Sequence, residues 1–105
     1  MGIRYEKAED FYQKALKIKK EVLGPNHPKI AASLNNLALL YNMQNKTEEA
    51  ESYYIKALDI VEEKLDPNHP CVETVFRNFI KFYKKTGKKD KVKELKIRRE
   101  RLLSE

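Results

Sequence analysis

An all-α stack of antiparallel helical hairpins is the architecture that the 105-residue sequence predicts. Three observations carry the prediction: the chain repeats itself at a shift of 42 positions, its apolar residues recur at helical spacing, and its breakers fall between those stretches. At that shift Leu23, Pro25, Asn26, His27 and Pro28 meet Leu65, Pro67, Asn68, His69 and Pro70, with Gly24 replaced by Asp66. The match continues on both sides, Ala8, Tyr12, Ala15, Leu16 and Ile18 meeting Ala50, Tyr54, Ala57, Leu58 and Ile60, and Asn36 and Tyr41 meeting Asn78 and Tyr83. An internal period of this size marks a stacked solenoid, in which each unit buries its apolar face against the next.

Five helices follow in order. The first, over 4–23, carries the stripe of Ala8, Tyr12, Ala15 and Leu16 and stops at Gly24, which sits where a C′ glycine belongs. The second, over 28–44, opens on Pro28, suited to a first helical position, and places Leu34, Leu37, Ala38 and Tyr41 at i, i+3, i+4 and i+7. Thr47, with Glu48 and Glu49 behind it, is the expected N-cap of the third, over 47–65, whose stripe is Ala50, Tyr53, Tyr54 and Ala57. The fourth, over 70–85, starts at Pro70 and is closed by Gly87; the fifth, over 88–103, docks through Val92, Leu95 and Leu102, with Ile97 as a further candidate. No strand is needed. Connections of two to five residues force consecutive helices to pack antiparallel, and a small rotation per hairpin gives a superhelical array with one face toward a shared groove.

Composition narrows the function. With 41% hydrophobic and 36% charged residues the chain is long enough for one domain, which buries roughly 65% of its unfolded surface. No window is apolar enough for a membrane span, and the first 20 residues hold six Lys or Arg, so an intracellular, cytoplasmic protein is expected. The one cysteine, Cys71, has no internal disulfide partner, in keeping with a reducing compartment. The net charge of +6 is local: residues 81–101 hold eleven Lys or Arg against three acids. Such a patch invites an acidic partner.

The segment from Ser33 to Leu58, SLNNLALLYNMQNKTEEAESYYIKAL, resembles the tetratricopeptide repeat (TPR), with Leu34, Leu37, Ala38, Tyr41, Ala50, Tyr54 and Ala57 at the signature positions. The 42-residue period, the Asn-His-Pro turn and the Leu-Asn-Asn-Leu-Ala stretch are similar to the kinesin-light-chain and nephrocystin type of that family. The resemblance implies a right-handed superhelical solenoid that binds proteins and does no chemistry. On this alignment 4–23 is the second helix of an incomplete repeat, 28–65 a full repeat and 70–103 a degenerate capping repeat within a single domain. Lys96 and Arg99 stand where Tyr54 and Ala57 stand one period earlier, as a solvated cap requires. At the other end, the missing first-helix partner leaves Phe11 and Ile18 uncovered, and with it a route to self-association.

The chemistry-bearing residues read as structural. His27 and His69 repeat with the turn, as a packing role demands, and equivalent positions about 10 Å apart cannot share one zinc. Cys71 lies near a helix start but lacks a base and an orienting partner, so it is not a nucleophile. Asn45-Lys46-Thr47 is a tight turn before it is a glycosylation site. No phosphate loop, dinucleotide fingerprint or paired-cysteine motif occurs, and no enzyme, metal, cofactor or small-molecule substrate is expected.

The binding residues lie elsewhere. Asn35, Leu39 and Asn42 fall at i, i+4 and i+7, off the core stripe, and 42 residues later the same line reads Arg77, Lys81 and Lys84. In TPR arrays this line of the first helix faces the concave channel. There Asn35 and Asn42 would bond an extended peptide backbone, Leu39 and Met43 would take an apolar side chain, and Arg77 and Lys81 would hold a carboxylate. A short acidic peptide is the expected partner. Two alternatives remain open: a self-associating structural module, and weak nucleic-acid binding through the basic C-terminal segment, against which stands the lack of any aromatic in 84–105.

Overall fold

The computed structural model describes residues 2–104, with side chains from Tyr5 onward. It contains α1 (Gly2–Leu23), α2 (Pro28–Met43), α3 (Thr47–Lys64), α4 (Pro70–Lys85) and α5 (Lys89–Ser104), and no strand among the described residues. Each expected helix is present, with ends displaced by at most two residues.

The turns explain why the helices stop where they do. His27 and His69 are N-caps in extended backbone, and each ring Nδ1 accepts the amide N–H two residues on, from Lys29 at 3.1 Å and Cys71 at 3.0 Å. Pro28 and Pro70 follow as first helical residues that have no N–H to satisfy. Gly24, at φ +90°, returns its N–H to the Lys20 carbonyl and ends α1. In the second copy of the turn Leu65 stays extended, and the Asp66 carboxylate accepts from the Asn68 N–H at 2.9 Å. The α2–α3 and α4–α5 turns share one design. Asn45 (φ 61°) and Gly87 (φ 75°), one period apart, are the left-handed C′ residues of Schellman motifs, in which the Lys46 and Lys88 N–H groups bond the Tyr41 and Tyr83 carbonyls.

One capping expectation is corrected. Thr47 is the first residue of α3, and Lys46 holds the N-cap position with no side-chain cap bond. The Schellman turn runs so directly into α3 that Lys46 alone lies between them, and its carbonyl already accepts from the Ala50 N–H.

α2 packs on α3 along their length, each being the other's principal neighbour, and α1, α4 and α5 pack onto that pair in sequence order. Alanines at the crossings, Ala38, Ala50 and Ala57, are fully buried and let the backbones close up. The α3–α4 interface is aromatic: Tyr54 stacks on Phe79 with ring centroids 5.1 Å apart and lies 5.3 Å from Phe82, while Phe79 stacks on Tyr83 at 4.6 Å. The backbones of α2 and α4 approach within 8 Å, whereas α1 and α3, and α3 and α5, never do among the described residues. The stack therefore closes on the α2/α4 side and splays on the other. A concave face lined by α2 and α4 is the result.

Polar latches recur with the same period. The Tyr41 hydroxyl donates to Glu9 at 2.8 Å, and 42 residues on the Tyr83 hydroxyl donates to Glu51 at 2.6 Å. Each fastens an inner helix to the outer helix before it. Gln13 joins the first latch, donating to Tyr53 at 2.7 Å. The Tyr54 hydroxyl, by contrast, is buried with no partner in the protein. The polar last helix is held by charge as well as by Val92 and Leu95: Arg98 pairs with Glu62 and, at 3.3 Å, with Asp59 on α3, and Arg99 pairs with Glu73 on α4 at 3.3 Å.

Three outcomes are expected. Tyr83→Phe loses a bond to a charged acceptor and costs about 1.5–3 kcal/mol, while Tyr54→Phe removes an unbonded hydroxyl and costs nothing or stabilises, as paired urea titrations would show. Asn45→Gly gains about 0.5–1 kcal/mol by relieving a positive φ, and Gly87→Ala loses about 1 kcal/mol through backbone strain alone, because an added Cβ meets nothing within 4 Å. The third outcome concerns alkaline pH. Burial, then the bond to Glu9, pushes the Tyr41 phenol from 10.0 up to about 12; burial alone does the same for Tyr54, and burial with Glu51 raises Tyr83 further. Above pH 10 the unfolded chain gives up these protons first, so stability is intact below pH 10 and falls from pH 10 through 12. Circular dichroism against pH, with phenolate absorbance, would show late-ionising tyrosines and helix loss in that window.

Candidate peptide-binding groove

The concave face is built from the sides of α2 and α4 that neither touches α3 nor meets the other inner helix. On α2, beyond Lys29 in its first turn, the exposed positions are Ala32, Asn36, Leu39 and Met43, a line at i, i+4, i+7 and i+11. Leu39 is 37% exposed and Met43 60%, so two apolar side chains stand open. On α4, Arg77, Lys81, Lys84 and Lys85 are exposed. None of the four pairs with a carboxylate among the described residues.

The structure thus brings Leu39, Met43, Arg77, Lys81 and Lys84 onto the open side of the inner helices and treats the two asparagines differently. Asn35 is not free to meet a ligand as the sequence suggests. It is 7% exposed and turned into the α2–α4 seam, where its side-chain oxygen accepts from Asn78 Nδ2 at 3.4 Å. Asn42, one turn pair further along the same edge, is half-buried. The physical reason is that α4 covers this edge of α2, whereas no further inner helix flanks the equivalent edge of α4 among the described residues, leaving Arg77 and Lys84 in solvent.

Asn78, Glu9 and Glu51, which bond one helix to the next, are not singled out by helical spacing. Their signal was the period itself: Glu9 and Glu51 lie 42 apart, as do the tyrosines they accept from, and Asn78 is the copy of Asn36. The charge on α5 is differently disposed from that on α4. Arg98, Arg99 and Lys91 are paired with Glu62, Glu73 and Glu94, and the bond to Glu62 holds the Arg98 guanidinium above its ordinary range. The unpaired cations of α4 form the basic wall of the groove.

The histidines do capping work, and among the described residues no three His, Cys, Asp or Glu side chains gather as metal ligands would. Cys71 is exposed at the start of α4. No helix is long and apolar enough to cross a membrane.

Comparison with known proteins agrees with this architecture. The tetratricopeptide-repeat family model matches residues 4–63. The crystal structure of BtubC (BKLC) from P. vanneervenii superimposes with a TM-score of 0.80 at 31% identity, over 91% of this chain and 38% of that one. A Podosopora anserina kinesin-light-chain candidate with nearly identical TPR-like repeats superimposes with a TM-score of 0.77 at 20% identity, over 93% of this chain and 46% of that one. The chain thus spans less than half the length of either. Among curated protein sequences none matches. Its model matching more than half of the sequence, the chain belongs to the tetratricopeptide-repeat family.

Proposed function

We propose that the protein is a binding scaffold that holds a short, acidic and partly apolar peptide in extended form along the α2/α4 face. The family to which the chain belongs mediates protein–protein interaction in general; acidic specificity is the inference made from this chain's own surface. One observation carries it: Arg77, Lys81, Lys84 and Lys85 on α4 are exposed and unpaired among the described residues, and the neighbouring α2 leaves two apolar side chains, Leu39 and Met43, uncovered. Water-exposed lysines give up little on meeting a carboxylate, and Arg77 offers a planar fork for two parallel bonds. Leu39 and Met43 supply the apolar contact that a purely electrostatic site lacks, and methionine's flexibility suits varied side chains. Backbone recognition falls to the half-buried Asn42, since Asn35 is held in the α2–α4 seam by Asn78.

The nucleic-acid alternative gains less support. Arg98, Arg99 and Lys91 are neutralised by Glu62, Glu73 and Glu94, which removes part of the charge that phosphate binding would use.

The test is an array of ten-residue peptides varying acidic and apolar content, followed by titration of the best binder. Selected peptides should pair Asp or Glu with Leu, Met or Phe. The double variant Arg77→Glu, Lys81→Glu should weaken binding at least tenfold, about 1.4 kcal/mol, with an unchanged thermal midpoint. Selection of basic peptides, or a variant that binds as well as the parent, would dispose of the acidic-groove reading.

A further inference from the structure

The two inner helices that line the concave face divide its chemistry between them. Apart from Lys29 in the first turn, the exposed positions of α2 carry no charge, whereas beyond Glu73 every exposed position of α4 is cationic. The period sets the two kinds in pairs. Leu39 has Lys81 as its copy 42 residues on, and Met43 has Lys85. Copies stand at the same level of adjoining hairpins, so the groove holds two parallel rungs, each with an apolar side chain on α2 and an ammonium group on α4.

The length of a rung selects the backbone form of what lies across it. The backbones of α2 and α4 approach within 8 Å, and the axes of packed helices lie about 8–10 Å apart. A β-strand returns side chains to one side every second residue, at ~6.7 Å and then ~13 Å, which falls short of the rung and then overshoots it. Polyproline II returns them every third residue, over about 9 Å, and matches. An α-helix covers the span only in six or seven residues, about 9–10.5 Å. Polyproline II also leaves its own N–H and C=O groups unbonded, for Asn42 at the edge of the groove to meet.

We infer, resting on the acidic-peptide reading of the groove, that it selects an acidic residue three positions from an apolar one in a segment of polyproline II form, with the apolar side chain on Leu39 or Met43 and the carboxylate on Lys81 or Lys85. Arg77 and Lys84 are the copies of Asn35 and Asn42, which lie on the edge of α2 that α4 covers. Both cations therefore stand on the edge of α4 away from α2, and a second acid is favoured outside the pair and not within it.

The experiment is a spacing scan on the whole chain. Short peptides carry one Leu and one Glu, separated by one to eight positions and in both orders, in a background of Pro, Ser and Ala. Titrations are followed by the NMR signals of the Leu39 and Met43 methyl groups. Affinity should peak at a separation of three, about threefold to fivefold above separations of one or five, which is what one exposed ion pair made or missed is worth. Lys81→Gln with Lys85→Gln should flatten the profile while leaving the thermal midpoint within about 2 °C, both side chains being exposed. A flat profile in the parent chain, with Glu still required, removes the spacing and leaves the acidic groove standing. A peak at six or seven shows a helical ligand and removes the spacing as well. Affinities indifferent to Glu at every separation remove both readings.

Discussion

The helices of this protein are short and each carries an apolar stripe, so none stands alone, and each is covered by whichever helix the next short turn returns to it. That constraint fixes most of the molecule. α3 shows it best, because it is buried on two sides: Ala50, Ala57 and Ile60 meet α2, while Tyr54, Leu58 and Val61 are fully buried toward the following unit. The α2 side carries the fully buried Ala50 and Ala57, and the side toward α4 carries the Tyr54 ring stacked on Phe79. Small residues let α2 and α3 close into a tight hairpin; large ones hold the hairpins apart on the outer side. Curvature toward α2 and α4 follows from that difference in volume, and the groove follows from the curvature.

Polar groups obey the same period because they answer the same geometrical problem at every step. Closing an inner helix onto the preceding outer one buries a tyrosine hydroxyl, and burial without a partner is costly. Glu9 and Glu51 supply the partner in each case. The turn beginning each inner helix leaves amide N–H groups unmet, and His27 and His69 meet one each with Nδ1. Lys93 stands at the position that follows Glu9 and Glu51. A lysine cannot accept a tyrosine hydroxyl, so the carboxylate of the latch does not recur on α5.

Helices were legible in the sequence because their ends are written in residues with few conformational alternatives: Gly24, Gly87, Pro28 and Pro70 each permit little else. Thr47 misled because a Schellman turn at Asn45, rather than a side chain, starts α3. For the groove the sequence was legible to about one helix edge. The line through Asn35 and Asn42 was drawn from helical spacing, which tells that residues share a side but not which neighbour covers it. Whether Asn35 meets water or α4 depends on the angle between adjacent hairpins, set by Tyr54, Phe79 and Phe82 far along the chain. Periodicity within a helix could not contain that angle, whereas periodicity between units held part of the answer in the Asn36 and Asn78 pair.

Charge is the remaining property that the fold sorts. Lysines and arginines crowd residues 81–101, and a reading by composition alone gives one continuous basic patch. Folding divides it. α5 lies against α3 and α4 with only Val92 and Leu95 buried, so its attachment recruits Glu62, Asp59 and Glu73 to Arg98 and Arg99. α4 presents Arg77, Lys81, Lys84 and Lys85 to the concave side, where neither α2 nor any loop offers a carboxylate. A concave basic wall concentrates potential more than the same charges on a convex one, since field lines converge across the hollow. Three of the seven α5 cations, Lys91, Arg98 and Arg99, are thus engaged by carboxylates, whereas all four on α4 stay unpaired among the described residues.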